Sequence, residues 1–155
     1  MKIYLILTLL FSILPKAQNS NAEFLRIPVD KFKGYENCCI NRCNMLIGLI
    51  DPIENELRIY GYENQSNVLA YKAGIVAKII NHDNDNSKSI LVKSNELVFV
   101  YKNLTNLQII ENEKISENQI LGKIMTINSE NYLGFEIWNV NSEKLNPINY
   151  LKDNP

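Results

Sequence analysis

Histidine is nearly absent from this chain: there is one, His82, in 155 residues. Most zinc sites and catalytic triads consume at least one imidazole and often two or three, so this count restricts metal and acid–base chemistry more than any other feature. Glycine is scarce, at 6, and cysteine is confined to Cys38, Cys39 and Cys43. No apolar run is long enough to cross a bilayer as a helix; Ile3 to Leu14 spans twelve residues and is interrupted by Thr8 and Ser12. A surplus of positive charge is also missing. Sixteen Lys plus Arg oppose 17 Asp plus Glu for a net charge of -1, so nucleic acid, which requires a concentrated positive field, is not the expected partner. What remains, 46% hydrophobic and 21% charged with a mean hydropathy of -0.15, is a soluble globular composition and not a collagen-like, disordered or multi-span one. The length suits one domain with a single core.

Met1 and Lys2 precede the apolar run, and Pro15, Lys16 and the small Ala17 end it. This reads as a secretory signal peptide over residues 1–17, with cleavage after Ala17 or after Ala22, leaving 23–155 as a single domain exported to a periplasmic or extracellular compartment. No Cys directly follows the run, so no lipid anchor is implied. In an oxidising compartment cysteines pair. Within Cys38-Cys39-Ile40-Asn41-Arg42-Cys43 a bridge between neighbours is strained, so Cys43 is expected to pair with Cys39 or with Cys38, the alternative being a bridge between chains. A zinc site would need four soft ligands or a nearby imidazole, and this spacing offers neither.

Short β-branched and aromatic runs recur between polar breaks, the pattern of an all-β domain. Strands are expected at Met45–Ile50, Glu56–Tyr60, Val68–Tyr71, Ile75–Ile80, Ser89–Lys93, Leu97–Tyr101, Leu107–Ile110, Ile120–Ile127 and Tyr132–Val140. They should form a compact, mostly antiparallel two-sheet domain with Val76, Ile90, Val92, Val98, Val100, Ile120, Phe135 and Ile137 in the core. Asparagine, with 23 copies against 6 glycines, is expected to fill many left-handed turn positions. A short C-terminal helix should begin at Asn146 as N-cap with Pro147 in its first turn. His82-Asp83-Asn84-Asp85-Asn86 reads as an exposed hairpin loop; as a calcium loop it lacks the glycine and the later bidentate Glu.

Three stretches then carry a resemblance in the same order. Tyr101-Lys102-Asn103-Leu104, the segment from Glu111 through Asn112 and Asn118 to Gln119-Ile120-Leu121-Gly122, and Tyr132-Leu133-Gly134-Phe135-Glu136-Ile137-Trp138 followed by Pro147 and Tyr150-Leu151 resemble motifs of the LytM-type, lysostaphin-like zinc peptidases that cut peptidoglycan cross-bridges. In that family the motifs read Tyr-x-His-Leu, a Gly-containing turn pair before Gln-x-Ile-Gly, and His-x-His-Phe-Glu-[Ile/Val]-Trp. The match runs from Val68 to Leu151, with Asn112 and Asn118 in place of the two turn glycines. The family holds zinc by His, Asp and His with an open position for water. Here the matching histidines are replaced by Asn103, Tyr132 and Gly134, and the nearest alignment puts Ile59 at the Asp. The resemblance therefore implies a degenerate member: a pseudoenzyme with no metal, no cofactor and no peptidase activity.

Tyr132, Gly134 and Glu136 alternate with Leu133, Phe135 and Ile137 and so line one strand face, with Asn103 expected to approach from a neighbour. That vacant groove, Asn103, Tyr132, Gly134 and Glu136, is the expected binding site; filling by the Tyr132 ring is the alternative. The family resemblance implies peptidoglycan or a cell-wall hydrolase as partner. Two other functions stay open: a secreted small β interaction protein unrelated to the wall, and an active hydrolase using Glu136, His82 and an atypical metal.

Overall fold

The computed structural model describes residues 26–37, 56–62, 66–127 and 129–151. The leader expected at residues 1–17, the three cysteines and the strand expected at Met45–Ile50 lie outside them. Eleven strands and one helix follow in order: β1 (Phe32–Asn37), β2 (Leu57–Gly61), β3 (Asn67–Leu69), β4 (Gly74–Asn81), β5 (Lys88–Ser94), β6 (Leu97–Thr105), β7 (Lys114–Ile115), β8 (Ile120–Ile124), β9 (Thr126–Ile127), β10 (Glu130–Asn139), β11 (Lys144–Leu145) and α1 (Ile148–Leu151). The protein is all-β and antiparallel, as expected. The main sheet runs β1-β2-β10-β6-β5-β4-β7. The second layer is a ribbon of β3 and β8, joined to the main sheet where the end of β6 pairs with β8 through Leu104–Ile124 and Thr105–Lys123. β1 was not foreseen, because Phe-Lys-Gly-Tyr-Glu-Asn has neither a β-branched run nor a clear alternation.

One apolar cluster fills the space between the layers. Leu57 and Ile59 enter it from β2, Leu133, Phe135 and Ile137 from β10, Phe99 and Tyr101 from β6, Ile90 and Val92 from β5, and Val68, Leu121 and Ile124 from the ribbon. Three expected core residues stand outside this cluster. Val98 is half-buried on the opposite face of β6, paired with Trp138, because strand alternation gives the core to Phe99 and Tyr101. Ile120 is likewise half-buried, and its neighbour Leu121 takes the core position. Val100, also expected in the core, is buried but stands on the same outer face as Val98. Residues 107–110 form no strand: Asn106, in the left-handed region at φ 48°, turns the chain out of the ladder, although Ile109 still reaches the core.

Asparagine does the work of glycine in the turns. Asn86, Asn95, Asn103, Asn106, Asn112 and Asn118 all have positive φ, whereas no described glycine does. Asn112 and Asn118, at φ 66° and 63°, are the two positions where the resembling motif carries glycine. At the C-terminus, Asn146 Oδ1 accepts the backbone N–H of Ile148 at 3.1 Å, the N-cap bond that starts α1.

Tyr101 ties the core to a loop. It is fully buried, and its hydroxyl oxygen accepts the Tyr71 backbone N–H at 2.9 Å, while burial pushes its own ionisation well above the ordinary phenol range. Tyr101→Phe leaves that N–H without its acceptor, so a loss of about 1–3 kcal/mol is expected in urea unfolding. An unchanged midpoint would mean that the bond carries nothing.

Candidate functional site

Period-two alternation puts Tyr132, Gly134, Glu136 and Trp138 on the β10 face turned away from the core. Register then decides what stands beside them. On β2, Tyr60 lies opposite Tyr132 and Arg58 opposite Gly134; on β6, Lys102 lies opposite Gly134 and Val100 opposite Glu136; on β11, Lys144 lies opposite Trp138.

These residues form a closed polar network. Glu136 is 3% exposed, and one of its oxygens accepts hydrogen bonds from Lys102 Nζ at 2.5 Å and Lys144 Nζ at 2.8 Å. Its other oxygen accepts the Trp138 indole N–H at 2.9 Å. Lys102 Nζ also donates to Glu56 Oε2 at 2.9 Å, so one ammonium bridges two carboxylates. Burial disfavours the charged form of Glu136, yet the hydrogen bonds from Lys102, Lys144 and Trp138 outweigh it and hold the carboxyl below its ordinary range. For Lys102, burial again works against the charge, and the bonds to Glu136 and Glu56 prevail and raise it.

Of the four residues expected to line the groove, three share this face and one differs. Tyr132 is half-buried, its ring 6.0 Å from that of Tyr60 and 4.7 Å from the Arg58 guanidinium. Gly134 is where the partners converge: a Cβ there would sit 3.1 Å from Lys102 Cβ and 3.2 Å from Glu56 Cδ. Asn103 has φ 63° and occupies a bulge, where β6 places Lys102 and Asn103 between Tyr101 and Leu104 against the single Ser89 on β5. Its carbonyl accepts the Met125 N–H at 2.7 Å. The β6 residue that reaches Gly134 and Glu136 is therefore Lys102. Ile59, at the position aligned with the family's Asp, points into the core, and its neighbours Arg58 and Tyr60 occupy the site face.

Sequence reasoning missed Glu56, Arg58, Lys102 and Lys144. Only Lys102 had a readable signal, since extending the Phe99, Tyr101 alternation puts Val98, Val100 and Lys102 together on the other side.

Away from this face, His82 Nε2 is 2.8 Å from Ser89 Oγ, and Asp85 Oδ1 accepts the Ser87 N–H at 2.9 Å, so the loop is closed by its own side chains. Among the described residues no three His, Cys, Asp or Glu side chains gather as a metal site.

No family model matches the sequence, and no curated protein matches it. Solved structures do. The chain superposes on Csd3 of Helicobacter pylori with a TM-score of 0.64 and 16% identity, over 84% of this chain and 35% of that one. It superposes on the catalytic domain of the antimicrobial peptidase lysostaphin from Staphylococcus simulans with a TM-score of 0.55 and 15% identity, over 69% and 85%. The fold is lysostaphin-like. A chain of the SpoIIQ–SpoIIIAH pore-forming complex shares it, with a TM-score of 0.59 and 21% identity over 84% and 92%. This chain spans about a third of the length of the Csd3 chain.

The lysostaphin-like fold is thus present with a donor set that does not fit the zinc of the resembling family. Gly134 has no donor atom, and an ammonium stands between the two nearest carboxylates, repelling any second cation. Restoring imidazoles alone should not restore the site. The double variant Tyr132→His, Gly134→His is expected to purify with far less than one equivalent of zinc, because its new side chain must displace Glu56 and Lys102; a full equivalent by metal analysis would show that this pair yields.

Proposed function

We propose that this chain is an exported, catalytically inactive lysostaphin-like domain that binds peptidoglycan or a cell-wall hydrolase. The observation that carries the reading is the Lys102 ammonium held between Glu56 and Glu136 beside Gly134. Proton transfer to an attacking water needs a group that titrates near neutrality, and a carboxylate locked to two lysines is a poor base. Binding has better support. Tyr132 presents a flat ring, Arg58 and Glu130 supply charges of both signs, and Asn103 lies one residue from Lys102 at the margin, a set suited to a short peptide or a sugar–peptide stem.

A second reading, a secreted interaction protein unrelated to the wall, draws support from the same fold occurring in the SpoIIQ–SpoIIIAH complex. Pull-down on purified sacculi separates the two. Retention that survives moderate salt and weakens in Tyr132→Ala favours the wall, with about 1 kcal/mol of stability lost from the Tyr60 and Arg58 contacts. Complete absence of retention favours the second reading, and one tightly bound zinc with peptidase activity would end both.

A further inference from the structure

On the side of the main sheet opposite β1, the face turned away from the core carries a second feature. Register sets Ile75 of β4 directly between Lys93 of β5 and Lys114 of β7. Ile75 is 44% exposed, both lysines are exposed, and neither ammonium has an ion-pair or hydrogen-bond partner among the described residues. Further along β4, a bulge at Ala77 puts Lys78 and Ile80 on this same face, since Val76 and Ile79 turn to the core. Ile80 is 40% exposed. Lys78 Nζ lies 3.3 Å from Glu111 Oε1, which also accepts the Ile79 backbone N–H at 2.9 Å, so that carboxylate is already engaged. Glu96, exposed in the turn between β5 and β6, lies beyond the strand ends.

A lone exposed isoleucine calls for no partner. Here the two isoleucines project among lysines, whose long apolar stems can lie along them while the ammonium groups reach outward. The occupant that fits must offer an excess of negative charge with an apolar layer just beneath it. A second copy laid face to face would bring lysine against lysine. Protein interfaces are enriched in aromatic residues and Arg and depleted in Lys, and the patch from Ile75 to Ile80 with Lys93 and Lys114 has the opposite composition. A soluble polyanion matches the ammonium groups and leaves the isoleucines in water. An anionic bilayer supplies both layers, phosphates at the level of the lysines and acyl chains below them for the isoleucines.

We propose that the outer face of β4, with Lys93 and Lys114, docks this protein reversibly on the surface of an anionic phospholipid bilayer. The attraction is local: with a net charge of -1 the chain as a whole is not drawn to such a surface, so the patch sets which face meets it. The proposal goes beyond the wall-binding reading and makes no use of the Glu136 network.

The test places a reporter in the patch. Ile75→Trp adds an indole to that of Trp138, the single tryptophan of the chain. Titrating the full chain with vesicles of phosphatidylglycerol and phosphatidylcholine in equal parts should shift the added emission to the blue, with wild type as the reference spectrum. Vesicles of phosphatidylcholine alone should give no shift. The reporter's position matters, because the apolar run near the N-terminus would hold an uncleaved chain on either vesicle without bringing β4 to the lipid. Adding Lys93→Glu and Lys114→Glu should raise the lipid needed for half the shift by about tenfold with an unchanged melting temperature, and moderate salt should act in the same direction. An equal shift on both vesicles, no shift on either, a shift indifferent to the two charge reversals, one produced by polyglutamate in place of lipid, or one that grows with protein concentration in the absence of lipid each overturns the proposal. Retention on sacculi with no lipid shift removes this face and leaves the wall-binding reading standing; the converse result removes that reading alone.

Discussion

Lys102→Met is expected to lower stability by about 2 kcal/mol at neutral pH. Removing one partner of a fully buried ion pair costs roughly 3–5 kcal/mol, chiefly because the other charge stays buried and unmatched. The discount follows from the surroundings: the Lys102 side chain is 36% exposed, and Lys144 still reaches Glu136. Glu56 loses its ammonium as well, although Arg58 Nε remains at 3.7 Å. The pH dependence carries a sign. The Glu136 carboxyl is held below its ordinary value in the folded state, so its contribution is present above the unfolded value of about 4.3 and is lost as pH falls through the lower folded one. Lys102 is raised, so its contribution is present below about 10.4 and is lost as pH rises through the higher folded value. Wild type should therefore hold a stability plateau between these limits, and Lys102→Met should lose the lysine's alkaline limb and shrink the acid one. Urea midpoints at pH 3, 7 and 11 measure this. A variant as stable as wild type at pH 7 would show that the bridge contributes nothing net, and Glu136→Gln should flatten the acid limb if Glu136 is its source.

Phe135→Ala should have the largest effect of any single truncation considered, about 3–5 kcal/mol, with a fall in Tm of more than about 10 °C. Its ring is fully buried and meets three others: Phe99 stacked at 6.3 Å, Tyr101 at 5.3 Å and Tyr71 edge-on at 6.0 Å. These contacts join β10 to β6 and to the loop after β3, so the cavity has walls on several elements and cannot close by moving one. Phe135→Leu keeps most of the volume and should cost about 1 kcal/mol. Thermal unfolding followed by circular dichroism separates the two, and similar Tm values for both would show that the aromatic cluster is not what holds the layers together. The site sits on the reverse of this same strand, so Phe135→Ala should also loosen the Glu136 network.

Local sequence fixed a definite set of features here. Period-two runs located β4, β5, β6 and β10 and put Phe135 and Ile137 opposite Glu136, because alternation is a property of each strand alone. Asn112, Asn118 and the Asn146 cap were readable because left-handed turns and helix starts depend on a few adjacent residues. The shortage of histidine showed that a site built on several imidazoles has no means to form, whatever the alignment. Tertiary structure decided the rest. A one-residue bulge at Asn103 broke the alternation of β6 after Lys102, so that Leu104, which unbroken alternation would turn to the site face, returns to the core. Glu56 met Lys102, and Lys144 met Glu136, only through the registers of β2 and β11 against β10. Register is set by how the buried faces pack across the whole sheet, and a slip of one residue would turn Lys102 or Arg58 to the other side, so no short window of sequence contains it.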